Sequence, residues 1–370
     1  MNCPRAPSRP SWLAFVSLVA MTGACSDEPT HTSGSPLAPP VPADVADPGP
    51  CPAAGLCDSP TATTFPATMS LQAEAESTVP WLHGYVFAGV WEQHYRIFDN
   101  VGTFVDYIAA PGGQQGYTAG SAFNRDETKL YTAFFSGDDI RVYDAGAPHT
   151  ELQQISADYG GHAESIDFDA AGDFFYVGQP DGTRDILKYN AAGTRVDRFD
   201  VAVEGRGADW IDLAADDRTL FYTSEGRRIL VYDLVTRTQL PDFAVLPDTP
   251  TGGAGGPAFA LRLLPPFDGT GGLIVADRYD IKRLDGSGTI VWTADYGTEN
   301  GWFAMNLDPD GEHFWAGGTG SGEFHKFRIF DGAHVAGPFE SVSVGYVGLW
   351  GLCLLGEPGG NEPPVADANG

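Results

Sequence analysis

The residues with the clearest capacity for chemistry are one histidine and one glutamate that stand two positions apart. They are His162 and Glu164, in the run GGHAESIDFD. In a β-strand, residues i and i+2 lie on the same face, so an imidazole and a carboxylate at this spacing can point the same way. Such a pair can act as a general acid and base in catalysis. A surface histidine beside a solvated glutamate is the other interpretation.

Side-chain oxygens at three positions form a second candidate set, at points where the chain is expected to lead into strands around a central channel. They are Glu164, Asp209 and Asn300. Carboxylate and amide oxygens are ligands that Ca²⁺ prefers in proteins. No cofactor is certain from the sequence, and Ca²⁺ or another divalent cation is the one that these side chains would hold. Capping or solvated polar groups are the alternative.

Five more residues are expected to contact a ligand at the same end of the fold, again from their position and not from a motif. They are Tyr117, Arg206, Trp210, Trp302 and Tyr346. The aromatic members could stack on a sugar or another ring. They could also pack between structural repeats, where such side chains bury on the order of 150–250 Å² each. For the tryptophans we favour packing.

The scaffold that would position these residues is visible as internal self-similarity. Six short β-rich runs each end before a polar turn, and successive aligned positions are 45, 46, 43, 51 and 47 residues apart. Four of the runs follow an alternating apolar strand, a turn of Asp, Gly or Asn, and an aromatic-rich strand. Period-two alternation within these segments favours strands. The aligned positions are Phe98, Tyr143, Tyr189, Tyr232, Arg283 and Phe330.

A repeat of this length that holds four short strands is typical of a β-propeller blade. We therefore predict an all-β, six-bladed β-propeller of four-stranded blades. The apolar run at 344–357 is expected to be the inner strand of the first blade and to pair with the strand at 84–90, which closes the ring. Cys353 in that run is expected to be a buried, inert thiol. An independent inner strand at 69–76 would instead give a seventh, partial blade.

The blade pattern, with LDPDGEHFWAGG at 307–318 as its clearest example, resembles the NHL, YVTN and gluconolactonase-like propeller superfamily over about 85–357. Within it, the chain is similar to secreted bacterial members related to streptogramin lyases. For His162 and Glu164 the resemblance implies acid–base catalysis assisted by a divalent cation. The oxygen set of Glu164, Asp209 and Asn300 would correspond to the calcium ligands of gluconolactonase-like propellers. The superfamily includes lactonases, lyases and pure binding modules.

The two ends of the chain differ in composition from the repeats. Residues 1–24 have the features of a lipoprotein signal peptide, with a ten-residue apolar stretch before Cys25, the expected lipidation site. A Pro/Ala/Ser-rich tether is expected at 25–68, the propeller at 69–357 and a Pro/Gly-rich linker at 358–370. Cys51 and Cys57 lie close enough in sequence for a disulfide in an oxidising compartment.

The chain has 370 residues and a formal net charge of −28, which excludes nucleic acid as a partner because phosphate would repel it. We expect a monomeric, exported binding module, attached to a bacterial membrane through its lipid or secreted. Its partner would be an envelope or extracellular protein or a small molecule. The alternative is a metal-dependent lactonase or esterase, or a streptogramin-lyase-like enzyme, with its site at the central channel mouth.

Overall fold

The structure is a computed structural model that describes residues 78–90, 94–109, 117–156, 161–247, 256–296, 301–341 and 348–359. These ranges contain 25 strands and one turn of 3₁₀ helix at Phe135–Gly137. None of the helical structure in these ranges is long and apolar enough to cross a membrane. The predicted signal peptide, tether and linker lie outside the described residues, except for 358 and 359. So do Cys25, Cys51, Cys57, Asn300 and Tyr346.

The strands follow one another in groups that correspond to the predicted repeats. The first three strands are β1 (Val86–Val90), β2 (His94–Phe98) and β3 (Phe104–Ala109). The next repeat holds β4 (Thr118–Phe123), β5 (Lys129–Phe134), β6 (Asp139–Asp144) and β7 (Glu151–Ser156). The third holds β8 (Ser165–Phe168), β9 (Phe174–Gly178), β10 (Ile186–Asn190) and β11 (Arg195–Phe199).

The second half of the chain continues the same plan. The fourth repeat holds β12 (Ile211–Leu213), β13 (Thr219–Tyr222), β14 (Arg228–Asp233), β15 (Thr238–Gln239) and β16 (Ala244–Val245). The fifth holds β17 (Leu261–Leu263), β18 (Leu273–Asp277), β19 (Asp280–Leu284) and β20 (Ile290–Ala294). The sixth holds β21 (Trp302–Leu307), β22 (His313–Gly318), β23 (Glu323–Arg328) and β24 (His334–Glu340), and β25 (Leu349–Leu354) is last.

Each repeat forms one antiparallel sheet, and the six sheets are the blades of a propeller. Blades 2 to 6 run in sequence order, and β16 in blade 4 adds a short extra pairing to β14. Blade 1 has the order β25-β1-β2-β3, so the last strand of the chain is its innermost strand. Phe87 lies opposite Cys353 and Val86 opposite Leu354 in that pairing. The predicted fold, with six four-stranded blades and closure by the C-terminal strand, is confirmed.

The thiol of Cys353 is free and buried, and burial raises its pKa, as expected for an inert cysteine. It lies among the apolar side chains that join blades 1 and 2, including Phe87 and Leu130. Most of the core consists of such interfaces, because each sheet buries both faces of its inner strands against neighbouring blades. Outer strands alternate partly buried and exposed side chains, as in β7 and β20.

The sequence alignment of the repeats was wrong in blades 5 and 6. In blade 2, Tyr143 lies opposite Leu130 in the core. The residue with that role in blade 6 is Phe327, opposite Phe314, whereas Phe330 lies in the following turn and is 78% exposed. In blade 5 the role belongs to Leu284, which is fully buried, and not to Arg283. Alignment on the polar turns misplaced these positions because the turns differ in length.

Candidate functional site

The inner strands place six equivalent residues in a ring around the channel, each four residues before the last apolar residue of its inner strand. Hydrogen bonds between neighbouring blades fix the equivalence. Gly120 N–H donates to the Glu164 carbonyl at 2.6 Å, and Ala260 N–H donates to the Phe303 carbonyl at 3.1 Å. We call the six residues the channel ring. In blade order from 1 to 6 they are Trp350, Ala119, Glu164, Asp209, Phe259 and Phe303.

The aromatic half of the channel ring comes from three consecutive blades, 5, 6 and 1. The ring centroids of Phe259 and Phe303 are 4.6 Å apart, and those of Phe303 and Trp350 are 5.5 Å apart. Tyr117, at the start of blade 2, packs against Trp350 at 4.2 Å. These residues form a continuous apolar wall, and the indole N–H of Trp350 has no acceptor among the described residues.

The acidic half of the channel ring consists of Glu164 and Asp209 on the neighbouring blades 3 and 4. Their exposed fractions are 3% and 0%. No described N–H or O–H group outside the pair donates to Glu164 Oε2 or to either carboxyl oxygen of Asp209. The two carboxyl groups instead hydrogen-bond to each other, which requires that one of them carries a proton. The acidic half is therefore a carboxyl pair that shares a proton.

Burial sets the protonation of this pair. Desolvation raises the pKa of Glu164 to about 8, against a smaller opposing effect of Arg206. Desolvation, and then repulsion by Glu164, also raise the pKa of Asp209 well above its ordinary value. Two adjacent buried carboxylates cannot both be charged without a large cost in free energy. The pair therefore holds a proton at neutral pH and can donate it.

Trp210 on blade 4 crosses the channel beside the ring. Its ring centroid lies 5.7 Å from that of Phe303 on blade 6. On the side of blade 2, its Cζ3 lies 3.0 Å from the point where a Cβ on Gly120 would stand, so glycine is needed there. Trp210 is fully buried, and its N–H has no acceptor among the described residues. The indole therefore packs between blades 2 and 6 beside the ring.

A charged shell surrounds the acidic half on loops of the same face. Arg206 contacts Asp181, and its Nη1 lies 3.1 Å from Glu225 Oε1. Burial disfavours the charge of Arg206, but the carboxylates around it outweigh that effect and raise its pKa. The hydrogen bond from His162, followed by the charge of Arg206, lowers the pKa of Asp181. The guanidinium is therefore the fixed positive charge among these carboxylates.

His162 belongs to this shell. Its Nδ1 lies 2.8 Å from Asp181 Oδ2 and its Nε2 lies 3.6 Å from Asp138 Oδ1. The imidazole stacks on Phe135, with centroids 4.1 Å apart and planes 3° from parallel. The inner strand of this blade begins only at Ser165, so the strand geometry behind the expected pairing of His162 with Glu164 does not apply. Their joint catalytic role stays a prediction.

Only some of the other predicted residues lie at the channel ring. Tyr117, Arg206 and Trp210 lie at or beside the channel ring, together with Glu164 and Asp209. Trp302 is fully buried and packs inside blade 6 against His325 and Phe327, each at 5.5 Å. Asn300 and Tyr346 are outside the described residues. Among the residues that are described, no group of three or more His, Cys, Asp or Glu side chains is placed to hold a metal ion.

Sequence reasoning missed two of the three residues in the aromatic half of the channel ring. Phe259 and Phe303 were not singled out, because in a list of aromatic residues they look like core. The signal was nevertheless present. Each of them occupies, in its own repeat, the position that Glu164 and Asp209 occupy in theirs.

The opposite end of the channel has a different character. A cavity of about 60 Å³ is lined there by polar groups that include Asp212, Arg262 and Glu357. Arg262 Nε donates to Glu357 at 2.9 Å, and Asp212 accepts the backbone N–H of Leu263 at 2.6 Å. These groups already hydrogen-bond to one another and to the backbone of a neighbouring blade. The channel ring, whose polar groups lack such partners, is therefore the better candidate site.

The chain matches no known protein-family model, and it matches none of the curated proteins to which it was compared.

Proposed function

We propose that this β-propeller is a binding module that takes a small molecule into its channel mouth, at the channel ring. The observation that carries the proposal is the composition of the ring. Three adjacent aromatic side chains and two adjacent buried carboxyl groups line the ring, and three of the four carboxyl oxygens lack donors from other described residues. Apolar pockets with a few unsatisfied polar groups are the usual form of small-molecule sites.

The cellular setting in this proposal comes from the sequence. The apolar stretch before Cys25 and the Pro-rich segment that follows support export, lipid attachment and a tethered propeller at the bacterial envelope. The blade pattern supports membership of the NHL, YVTN and gluconolactonase-like superfamily. In this setting the propeller would present its channel mouth to molecules outside the cytoplasm.

One observation favours the second candidate, an acid–base enzyme. Glu164 has its pKa raised to about 8 by burial, so it can donate a proton at neutral pH. A lactonase, esterase or lyase would need such a donor beside its substrate. In such an enzyme, Glu164 would be the acid and His162, in contact with Asp181, would be the nearest candidate base on the same face.

Affinity enrichment followed by mass spectrometry tests the binding function. The purified protein is incubated with small-molecule extracts of the culture medium, and the retained compounds are released by denaturation. We expect the wild type to enrich compounds that Trp350→Leu does not. Phe330→Leu, which changes an aromatic side chain that is 78% exposed on the outside of blade 6, should enrich the same compounds as the wild type.

Two outcomes would contradict the proposal. Equal enrichment by the wild type and by Trp350→Leu would show that the channel ring binds nothing. Recovery of chemically altered compounds in amounts that grow with incubation time would show turnover, and the enzyme would replace the binding module as the function.

A further inference from the structure

We infer that the ligand of the channel ring is a primary ammonium compound with an apolar body, and that its ammonium group displaces the proton shared by Glu164 and Asp209. This inference rests on the proposed function and specifies the class of its ligand. It follows from the chemistry of the two halves of the ring and from the groups within it that lack partners.

The acidic half needs hydrogen-bond donors. Three oxygens of the carboxyl pair receive no N–H or O–H group from any described residue outside the pair, although both side chains are at least nine-tenths buried. A buried carboxyl oxygen without a donor costs free energy, which a ligand with several donors would recover. A primary ammonium group has three N–H donors and a positive charge, whereas a quaternary ammonium group has the charge alone.

The charge of the site also favours a cation. The charged groups that face the pair are Arg206 and, behind it, Glu225 and Asp181. Arg206 contacts both of these acids, so its single positive charge is already engaged by two carboxylates. With the pair fully ionised, the surroundings would hold one cation against four acids. An ammonium ion that replaces the shared proton balances part of the negative charge of the ionised pair.

The aromatic half of the channel ring is the reason why we infer an apolar body for the ligand. Phe303 and Trp350 lie on the blades opposite Glu164 and Asp209, and Phe259 lies on the blade next to Asp209. A ligand that places its cation on the acids would therefore direct its remaining atoms to these aromatic side chains. Aromatic faces also attract a cation directly, most strongly when water is excluded. The indole N–H groups of Trp210 and Trp350 lack acceptors in the described chain. The ligand could therefore also carry one hydrogen-bond acceptor.

The proton balance of binding is explicit. Before binding, the pair holds one proton and the ammonium ion holds its own. On binding, the ammonium ion hydrogen-bonds to both carboxylates, and the shared proton passes to the solvent. Binding therefore releases about one proton per ligand at neutral pH and becomes tighter as the pH rises towards about 8.

Isothermal titration calorimetry tests this inference with four probes that share a phenyl ring and differ in their polar group. The probes are benzylamine, benzyl alcohol, benzoate and benzyltrimethylammonium, each titrated into the purified protein at neutral pH in two buffers of different ionisation enthalpy. We expect benzylamine to bind about tenfold or more tightly than the others, with release of about one proton. Glu164→Gln should lose that preference, and Glu340→Gln, at an exposed position on β24, should keep it.

The outcomes separate the inference from the proposed function. Tighter binding of the alcohol, benzoate or the quaternary ion would overturn the ammonium class but leave a binding site at the ring. Binding of benzylamine without proton release would overturn the displacement. This readout uses the wild type alone and does not depend on the folding of the variant. Binding of no probe would overturn the inference, and the enrichment experiment would still decide the function.

Discussion

Glu164→Gln should change how the stability of the protein depends on pH. In the unfolded chain the pKa of this glutamate is near 4.5, and burial raises it to about 8 in the folded protein. Between these values the folded protein holds a proton that the unfolded chain has lost, so the free energy of unfolding falls as the pH rises. One proton corresponds to about 1.4 kcal/mol per pH unit, so the loss from pH 5 to pH 8 is on the order of 4 kcal/mol.

Urea unfolding followed by tryptophan fluorescence measures this loss at intervals from about pH 5 to about pH 8. The free energy of unfolding of Glu164→Gln should fall less steeply than that of the wild type, because glutamine has no proton to lose. Glu340→Gln, which changes an exposed carboxylate, should follow the wild type. Parallel pH profiles for the wild type and Glu164→Gln would refute the account of the carboxyl pair.

Three further substitutions test the scaffold and the charged shell. Gly351→Ala should reduce the free energy of unfolding by about 1–3 kcal/mol, because its Cβ would stand 1.9 Å from the Ala119 carbonyl between blades 1 and 2; an unchanged urea midpoint would contradict that contact. Burial and then His334 lower the pKa of His325 to about 4, so as the pH falls the unfolded chain binds this proton before the folded protein does. The wild type should therefore lose stability on the order of 3 kcal/mol between about pH 6.5 and pH 4, and His325→Leu should not show that loss. Thermal unfolding of both proteins at these pH values measures the difference, and equal acid sensitivity would count against it. Arg206→Met should cost about 1–3 kcal/mol in urea unfolding, since it removes the cation that contacts the partly exposed Asp181 and the more buried Glu225, and a neutral effect would show that the shell is solvated.

The closing strand could be predicted from the sequence for a physical reason. The apolar run around Cys353 would expose an unpaired edge unless another strand joined it, and the first aromatic strand of the chain lacked an inner neighbour. The pairing of Phe87 with Cys353 provides that neighbour. The repeat period also gave the number of blades. The exact register failed at Arg283 and Phe330, because polar turns vary in length while the buried pairs, such as Phe314 with Phe327, do not.

The candidate site was predicted in part. Glu164 and Asp209 were found because they precede inner strands, and the structure joins them as a pair. Their partnership could not be read from the sequence, since they are 45 positions apart and meet only when two blades pack together. The contact between His162 and Asp181 could not be predicted from the sequence either, as it joins the loop before β8 to the loop between β9 and β10. Phe259 and Phe303 needed the register of every inner strand before they could be recognised.

A crystal structure of the protein with benzylamine would show whether an ammonium group binds to the carboxyl pair. We expect the ammonium nitrogen within about 3 Å of carboxyl oxygens of both Glu164 and Asp209, with the benzyl ring against Phe303 and Trp350. Benzylamine bound at Glu357, at the opposite end of the channel, with Glu164 and Asp209 still in contact with each other, would contradict this expectation.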